Sequence, residues 1–321
     1  MRTLSILASL VLLCSPVLAQ TQPYPAKPVK LIVGFAPGGA ADYVARSVGD
    51  ALGRALGQTV VIENRAGAGS SIAAELVAKA APDGYTLLIA SPSSISVNPA
   101  LNAKLGYSPR DLLPITKVTT SPLVIAAHPG TGINSVRELI ARAKQAPGTL
   151  NYATSGNGSA PHLGAALFSQ VAGVQMVHIP FRGGGPAIQS VIAGDTQITF
   201  GTPPSVLPMV QAGRLRGLAV STRERTPLVP DLPGMLEAGL PDYRIEFWYG
   251  FFVPAGTPQA IVSKLFDAAT QALQQPQVKA ALAREGTEVS LSSSPEQFAV
   301  FLAEDAKFWE RLVKDAGVKI D

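Results

Sequence analysis

VKLIVGFAPGGAADYVARSVGDALGRAL, residues 29–56, decides the fold. The run 29–35 is apolar apart from Lys30, and Pro37-Gly38-Gly39 ends it, so it reads as a buried strand running into a tight turn. Residues 40–56 then place Val44, Val48, Leu52 and Leu56 on one helical face. Working outward, the same patterning predicts a strand at 60–62, a helix at 72–80 and a strand at 87–90. Strand–helix alternation of this kind implies an α/β fold, with a parallel sheet covered by helices on both faces.

The alternation resumes further along. Strands are expected at 123–127, 151–153, 177–179, 198–200 and 218–220, with helices at 136–144, 161–171, 186–193 and 205–212 between them. Residues 223–258, rich in Pro and Gly, read as irregular, and three helices follow at 259–274, 276–284 and 295–316. The runs 123–128 and 218–222 are candidate crossovers between two lobes. On that reading 20–125 and 222–321 form a discontinuous lobe 1, and 126–221 form lobe 2.

Residues 1–19 have the anatomy of a secretory signal peptide: Arg2, an apolar run from Leu4 to Leu13, and Val17-Leu18-Ala19 before Gln20. The apolar run is short for a membrane span. Cleavage after Ala19 predicts a periplasmic protein and removes Cys14, the only cysteine. The mature chain then has no disulfide and no thiol nucleophile or ligand. Its roughly 300 residues suit two domains with sizeable cores.

Charged residues make up 15% of the chain, with a net charge of +4, and they are scattered. Nucleic-acid binding needs a concentrated basic patch, so that class is set aside. The three histidines, His128, His162 and His178, form no spaced metal motif. No G-x-S-x-G elbow occurs, and Ser159 with His162 lacks a visible orienting acid. The chain is therefore read as a non-enzyme without cofactor or metal, and as a monomer.

The candidate binding residues lie on strand-to-helix loops. Phe35, Ala36, Gly38, Gly39 and Asp42 belong to a Gly-rich turn at a helix N-terminus, where free N–H groups and the helix dipole suit an anion. A plain tight turn with Asp42 in the first helical turn is an equally good account of the pattern alone. Ser155, Asn157, Gly158, Ser159 and His162 form a second polar loop before a helix, with Ser159 placed to cap it. Ser91 and Thr202 follow predicted strands, at the strand ends where open α/β sheets take ligands.

An ordered set of short motifs spans nearly the whole mature chain: Tyr24-Pro25, Ala36-Pro37-Gly38-Gly39 with Asp42, Glu63-Asn64-Arg65, Pro82-Asp83-Gly84-Tyr85, Asn98-Pro99, Ser155-Gly156-Asn157-Gly158-Ser159, Pro186-Ala187, Trp248 and Pro254-Ala255-Gly256-Thr257-Pro258. The set resembles the Bug family, the solute-binding components of tripartite tricarboxylate transporters. That resemblance implies a two-lobed flytrap fold of the type II periplasmic solute-binding class with two crossover strands. It also implies a cleft for a small carboxylate, and a membrane permease as partner. Presentation of a closed form to a signalling protein is the other role such a fold serves. Two positions depart from the family pattern: Gly34 stands where Pro is usual, and Phe181-Arg182 where Tyr-Lys is usual.

Overall fold

The computed structural model describes residues 24–102, 104–243 and 245–315. The expected leader and cleavage site, with Cys14, lie outside the described residues. Among the described residues, eleven strands are distributed over two sheets. The first sheet holds β1 (Val29–Val33), β2 (Val60–Asn64), β3 (Thr86–Ala90), β4 (Leu112–Pro122), β10 (Glu246–Pro254) and β11 (Glu288–Val289), in the order β11-β4-β10-β3-β1-β2. The second holds β5 (Val124–Ala127), β6 (Asn151–Thr154), β7 (Val177–Pro180), β8 (Ile198–Gly201) and β9 (Arg216–Val220), in the order β7-β6-β8-β5-β9.

Helices α1 (Ala40–Leu56), α2 (Ser71–Ala78), α3 (Asn98–Leu101), α9 (Gln259–Gln274), α10 (Pro276–Arg284) and α11 (Pro295–Asp315) accompany the first sheet. Helices α4 (Val136–Gln145), α5 (Ala160–Ala172), α6 (Gly184–Ala193), α7 (Pro203–Gln211) and α8 (Met235–Ala238) accompany the second. The molecule is thus an α/β protein of two lobes, one per sheet. The periodicity of residues 40–56 is realised in full: Val44, Val48, Leu52 and Leu56 are all buried. Gly57 takes the left-handed conformation, φ 72°, and ends α1 with its N–H on the Arg54 carbonyl.

Both sheets are mixed, which corrects the expectation of a purely parallel sheet. β1 pairs in parallel with β2 and β3, but β10 runs antiparallel to β3 and β4. In the second sheet β6 is parallel to β7 and β8, whereas β5 is antiparallel to β8 and β9. The cause is topological: β5 and β10, which bring the chain into each sheet from the other lobe, run against the βαβ units, whereas β4 and β9, which carry it out, run with them. β4 and β10 were also not expected as strands. β4 (LLPITKVTTSP) carries two prolines and three threonines, and β10 (EFWYGFFVP) lies in the Pro- and Gly-rich stretch expected to be irregular. Pro114 is tolerated because it sits opposite Phe252, beside a shift in register where a missing N–H costs least.

Three passages of backbone meet at Ser221. Its Oγ donates to the Ile245 carbonyl and accepts from the Leu123 N–H at 2.8 Å. Its own N–H donates to the Leu123 carbonyl at 2.8 Å, and its carbonyl accepts from Ile245 N–H at 3.3 Å. Leu123 is the single residue between β4 and β5, and Ile245 immediately precedes β10. One fully buried serine therefore ties together the strands joining the lobes.

Candidate functional site

The lobes are closed on each other. The Ala36 N–H, from the turn after β1, donates to the Arg182 carbonyl of the β7–α6 loop at 3.1 Å. A Cβ placed on Gly39 would stand 3.4 Å from the Gly184 nitrogen, and one on Gly69 would stand 2.6 Å from the Asn157 carbonyl oxygen. At Gly39 that is ordinary contact distance, whereas at Gly69 only a glycine allows the backbones to approach this closely.

Between the lobes lies a narrow cavity of about 20 Å³. From lobe 1 it is lined by Phe35, Gly39, Ala40, Ala41, Phe247 and Tyr249. The second lobe contributes Thr154, Ser155, Pro161, Gly184, Ala187, Ile188, Thr199, Gly201, Thr202 and Ser205. None of these side chains is charged. Four helices, α1, α5, α6 and α7, present their first turns to the cavity, but they differ in what they offer.

In α5, Pro161 has no N–H, and that of His162 donates to the Ser159 hydroxyl at 3.3 Å. In α7, Pro203 and Pro204 have no N–H, and that of Ser205 donates to the Thr202 carbonyl at 3.0 Å. By contrast, the first turns of α1 (Gly39, Ala40, Ala41) and α6 (Gly184, Gly185) retain N–H groups with no intrahelical acceptor. The open helix ends that face each other across the seam are therefore α1 and α6. Ser205 adds a buried hydroxyl with no hydrogen-bond partner. Burial raises the Tyr249 phenol well above its ordinary range, so it stays protonated.

The residues picked from the sequence divide into those at the cavity wall and those behind it. Phe35, Gly39, Ser155 and Thr202 line the cavity. Ala36 forms the interlobe hydrogen bond, and Gly38 makes the turn with φ 78°, a Cβ there meeting open space. Asp42 is a brace: Oδ2 accepts from the Gly38 N–H at 3.1 Å and Arg46 Nε at 3.0 Å, and Oδ1 accepts from Asn64 Nδ2 at 3.0 Å. Burial alone would push the pKa of its carboxyl up, but the hydrogen bonds from Arg46, Gly38 and Asn64 together hold it below the usual carboxylate value. Ser91 is buried below β3, with an unpartnered hydroxyl, and does not line this cavity. Ser159 caps α5 from a fully buried position.

Gly158 and His162 belong to the support of the loop. The Gly158 N–H donates to His162 Nδ1 at 3.2 Å. The His162 ring stacks on His178 with centroids 3.8 Å apart and planes 8° apart, and Tyr152 covers the other face of His178 at 5.1 Å. His178 Nε2 lies 2.6 Å from the Thr154 hydroxyl, at the cavity wall. Burial lowers His162 to about 4; burial and then its neighbour His162 lower His178 to about 3. Both rings are neutral near pH 7.

A second cavity, about 200 Å³, shares Phe35 and Ser155 with the first. Gly34, Gly67, Ala68, Gly69 and Ser70 line one side, and Gly156, Asn157, Pro180, Phe181 and Arg182 the other. Asn157 thus faces this space rather than the first. Both departures from the Bug pattern, Gly34 and Phe181-Arg182, border it. Ala68, Gly69 and Ser70 are all left-handed, with φ 46°, 58° and 75°. Asn98 Nδ2 clamps them by donating to the carbonyls of Ala68 and Gly69, both at 3.1 Å.

The sequence reading did not single out Gly184, Gly185, Ser205, Phe247 or Tyr249. Gly183-Gly184-Gly185-Pro186 between a strand and a helix carried the same signal as Pro37-Gly38-Gly39 and was available. Ser205, behind two prolines, had none.

The profile of a family described as "Tripartite tricarboxylate transporter family receptor" matches residues 44–318. The chain belongs to that family. Among solved structures, this receptor is 32% identical to the periplasmic binding protein BugD, covering 92% of this chain and 99% of that one, with a TM-score of 0.88. An R. palustris protein solved with adipate is 33% identical, covering 92% and 99%, with a TM-score of 0.89. MatC from Rhodopseudomonas palustris, solved with malate, is 33% identical, covering 90% and 100%, with a TM-score of 0.86. The Bug resemblance and the two-lobed solute-binding fold are thereby shown. Family members are periplasmic receptors and not enzymes.

Proposed function

We propose that this receptor is exported by its leader, cleaved after Ala19, and captures a small carboxylate between its lobes for delivery to the permease of a tripartite tricarboxylate-type transporter. The observation that carries the reading is the pairing of two open helix N-termini, α1 and α6, across a cavity without charged side chains. A carboxylate there meets backbone N–H groups and two positive dipole ends from both lobes at once. The Ser205 hydroxyl, buried without a partner, is a further donor within the same space. Hydrogen bonds to an ionised acceptor contribute about 1.5–3 kcal/mol each. Three such bonds approach the roughly 8 kcal/mol of micromolar binding without an arginine clamp.

The ligands of the adipate- and malate-bound neighbours support a carboxylate as the class. Sheet membership supports a discontinuous lobe 1 around a continuous lobe 2, with β1–β4 and β10–β11 in one sheet and β5–β9 in the other, but on this reading the limits move from 125 to the start of β5 and from 222 to the start of β10, since α8 accompanies the second sheet. The stretch between β9 and β10 lies at the junction, where Tyr243 packs edge-on against Phe168 of α5. The site is complete within one chain, which supports a monomer as the working unit.

A thermal-shift screen of the mature protein against mono-, di- and tricarboxylates, malate and adipate included, tests the proposal. A ligand at one hundred times its Kd stabilises by about 2.7 kcal/mol. A flat response to every carboxylate overturns it.

A further inference from the structure

We infer that Asn98 is a positioning residue for lobe closure: it holds the turn at 67–70 in the left-handed shape that seats against Asn157 of the other lobe. The inference rests on capture of a carboxylate by closure, and it names what shapes the seam for that step. Asn98 itself lines neither cavity. It is 2% exposed and opens α3, directly after a π-helical turn, Ser93–Val97, and its N–H reaches back five residues to the Ser93 carbonyl. Widened turns of this kind recur at functional sites. Here the turn is pinned from two sides. The Ser96 hydroxyl donates to Asp305 of α11 at 2.7 Å, and the Tyr107 hydroxyl donates to the Ser94 carbonyl at 2.6 Å.

From this fixed base the Asn98 amide serves three acceptors with two hydrogens. Nδ2 lies 3.1 Å from the Ala68 and Gly69 carbonyls and 2.7 Å from Ser71 Oγ. These bonds span a turn that the chain does not favour unaided. Gly67, Ala68, Gly69 and Ser70 have φ of 141°, 46°, 58° and 75°, and Ala68 and Ser70 carry a Cβ. For such residues the left-handed region is disfavoured about five- to thirtyfold. What the strained shape achieves lies across the seam. It brings Gly69 so close to lobe 2 that a Cβ there would stand 2.6 Å from the Asn157 carbonyl oxygen. Released from the clamp, Ala68 and Ser70 relax toward negative φ, and the turn no longer matches the surface it closes on. Clamp and turn both belong to lobe 1, so the shape is set before the lobes meet and its effect falls on the closed form.

The test is calorimetric titration with malate, adipate and citrate, joined to small-angle scattering, on the mature wild type, Asn98→Ala, Ala68→Gly and the double variant. Asn98→Ala is expected to bind about tenfold more weakly and to lose ligand-induced compaction. Glycine at position 68 takes the left-handed shape without help. The loss caused by Asn98→Ala is therefore expected to be about threefold smaller in the Ala68→Gly background, a rescue that a merely structural asparagine would not show. Should Asn98→Ala not fold, Gly69→Ala decides: its methyl group meets the Asn157 oxygen only when the lobes close, so the same loss of affinity and compaction is expected. Wild-type affinity in Asn98→Ala or in Gly69→Ala, or a loss that Ala68→Gly leaves unchanged, overturns this inference alone. Failure of the wild type to bind any of the three acids overturns it together with the carboxylate reading of the first cavity.

Discussion

Single residues in this receptor separate by what their polar atoms already do. Ser205 and Ser159 both sit at helix N-termini, but Ser205 Oγ is unpartnered while Ser159 Oγ accepts the His162 N–H. Ser205→Ala is expected to weaken carboxylate binding by about 1–3 kcal/mol with little change in stability, because no protein hydrogen bond is lost. Ser159→Ala is expected to cost about 1 kcal/mol of folding stability and leave affinity nearly intact. Titration and denaturant melts on the two variants check both, and a reversal of the pattern refutes the assignment. The stacked rings of His162 and His178 give a pH dependence. Their folded values of about 4 and about 3 lie below the ordinary 6.5, so the unfolded chain binds more protons between these limits. The stability they confer is full above pH 6.5 and is lost as pH falls from there toward 3. Denaturant midpoints measured from pH 7 to 4 should fall, and fall less in His178→Phe; equal slopes would mean the rings are not buried neutral in solution.

At the scale of elements, the turn from β1 into α1 shows how much the residue pattern conveyed. The bounds of α1 were legible to the residue, since four apolar positions at helical spacing and Gly57 at its end act locally. β4 and β10 were not legible, because what makes them strands is mutual pairing across more than a hundred residues of sequence, with Thr, Pro and aromatic positions that no local period marks. The site was half legible for a related reason. Pro37-Gly38-Gly39 announces a strand-to-helix turn, but only the tertiary structure shows that α6, not α5, brings the open end that meets it. The two glycines of that turn now have different roles. Gly38 supplies φ 78° in open space, whereas Gly39 is extended, φ −95°, and faces Gly184 across the seam, where a Cβ would already be in contact at 3.4 Å and a larger side chain would press on the other lobe. Gly39→Val is therefore expected to fold normally and to bind carboxylate at least tenfold more weakly, since its branched side chain holds the lobes apart. Small-angle scattering should show no ligand-induced compaction in this variant, and wild-type compaction would show that the seam tolerates a branched side chain.

For the whole molecule the question is what couples two lobes that share no sheet. Among the described residues one backbone hydrogen bond crosses the seam, Ala36 to Arg182, and it contributes about 0.5–1.5 kcal/mol net, too little on its own to hold large lobes shut without ligand. Closure then depends on the ligand's differential contacts with the closed form, and coupling in its absence falls to the junction. There Ser221 supplies one donor and one acceptor to the strands on either side, Ile245 and Leu123, in a fully buried setting. Ser221→Ala leaves the Leu123 N–H and the Ile245 carbonyl without their side-chain partner, at a cost of about 1–3 kcal/mol. Because those atoms sit between the lobes and not inside either, the loss should appear as lost cooperativity as well as a lower Tm. Wild type is expected to melt in one transition with calorimetric and van't Hoff enthalpies in agreement, and Ser221→Ala to melt with a calorimetric enthalpy exceeding the van't Hoff value. Scanning calorimetry without ligand decides it. A lower Tm with the two enthalpies still equal would make Ser221 an ordinary buried hydrogen bond, and the coupling of the lobes would have to lie in the apolar contacts around Tyr243 and Phe168 instead.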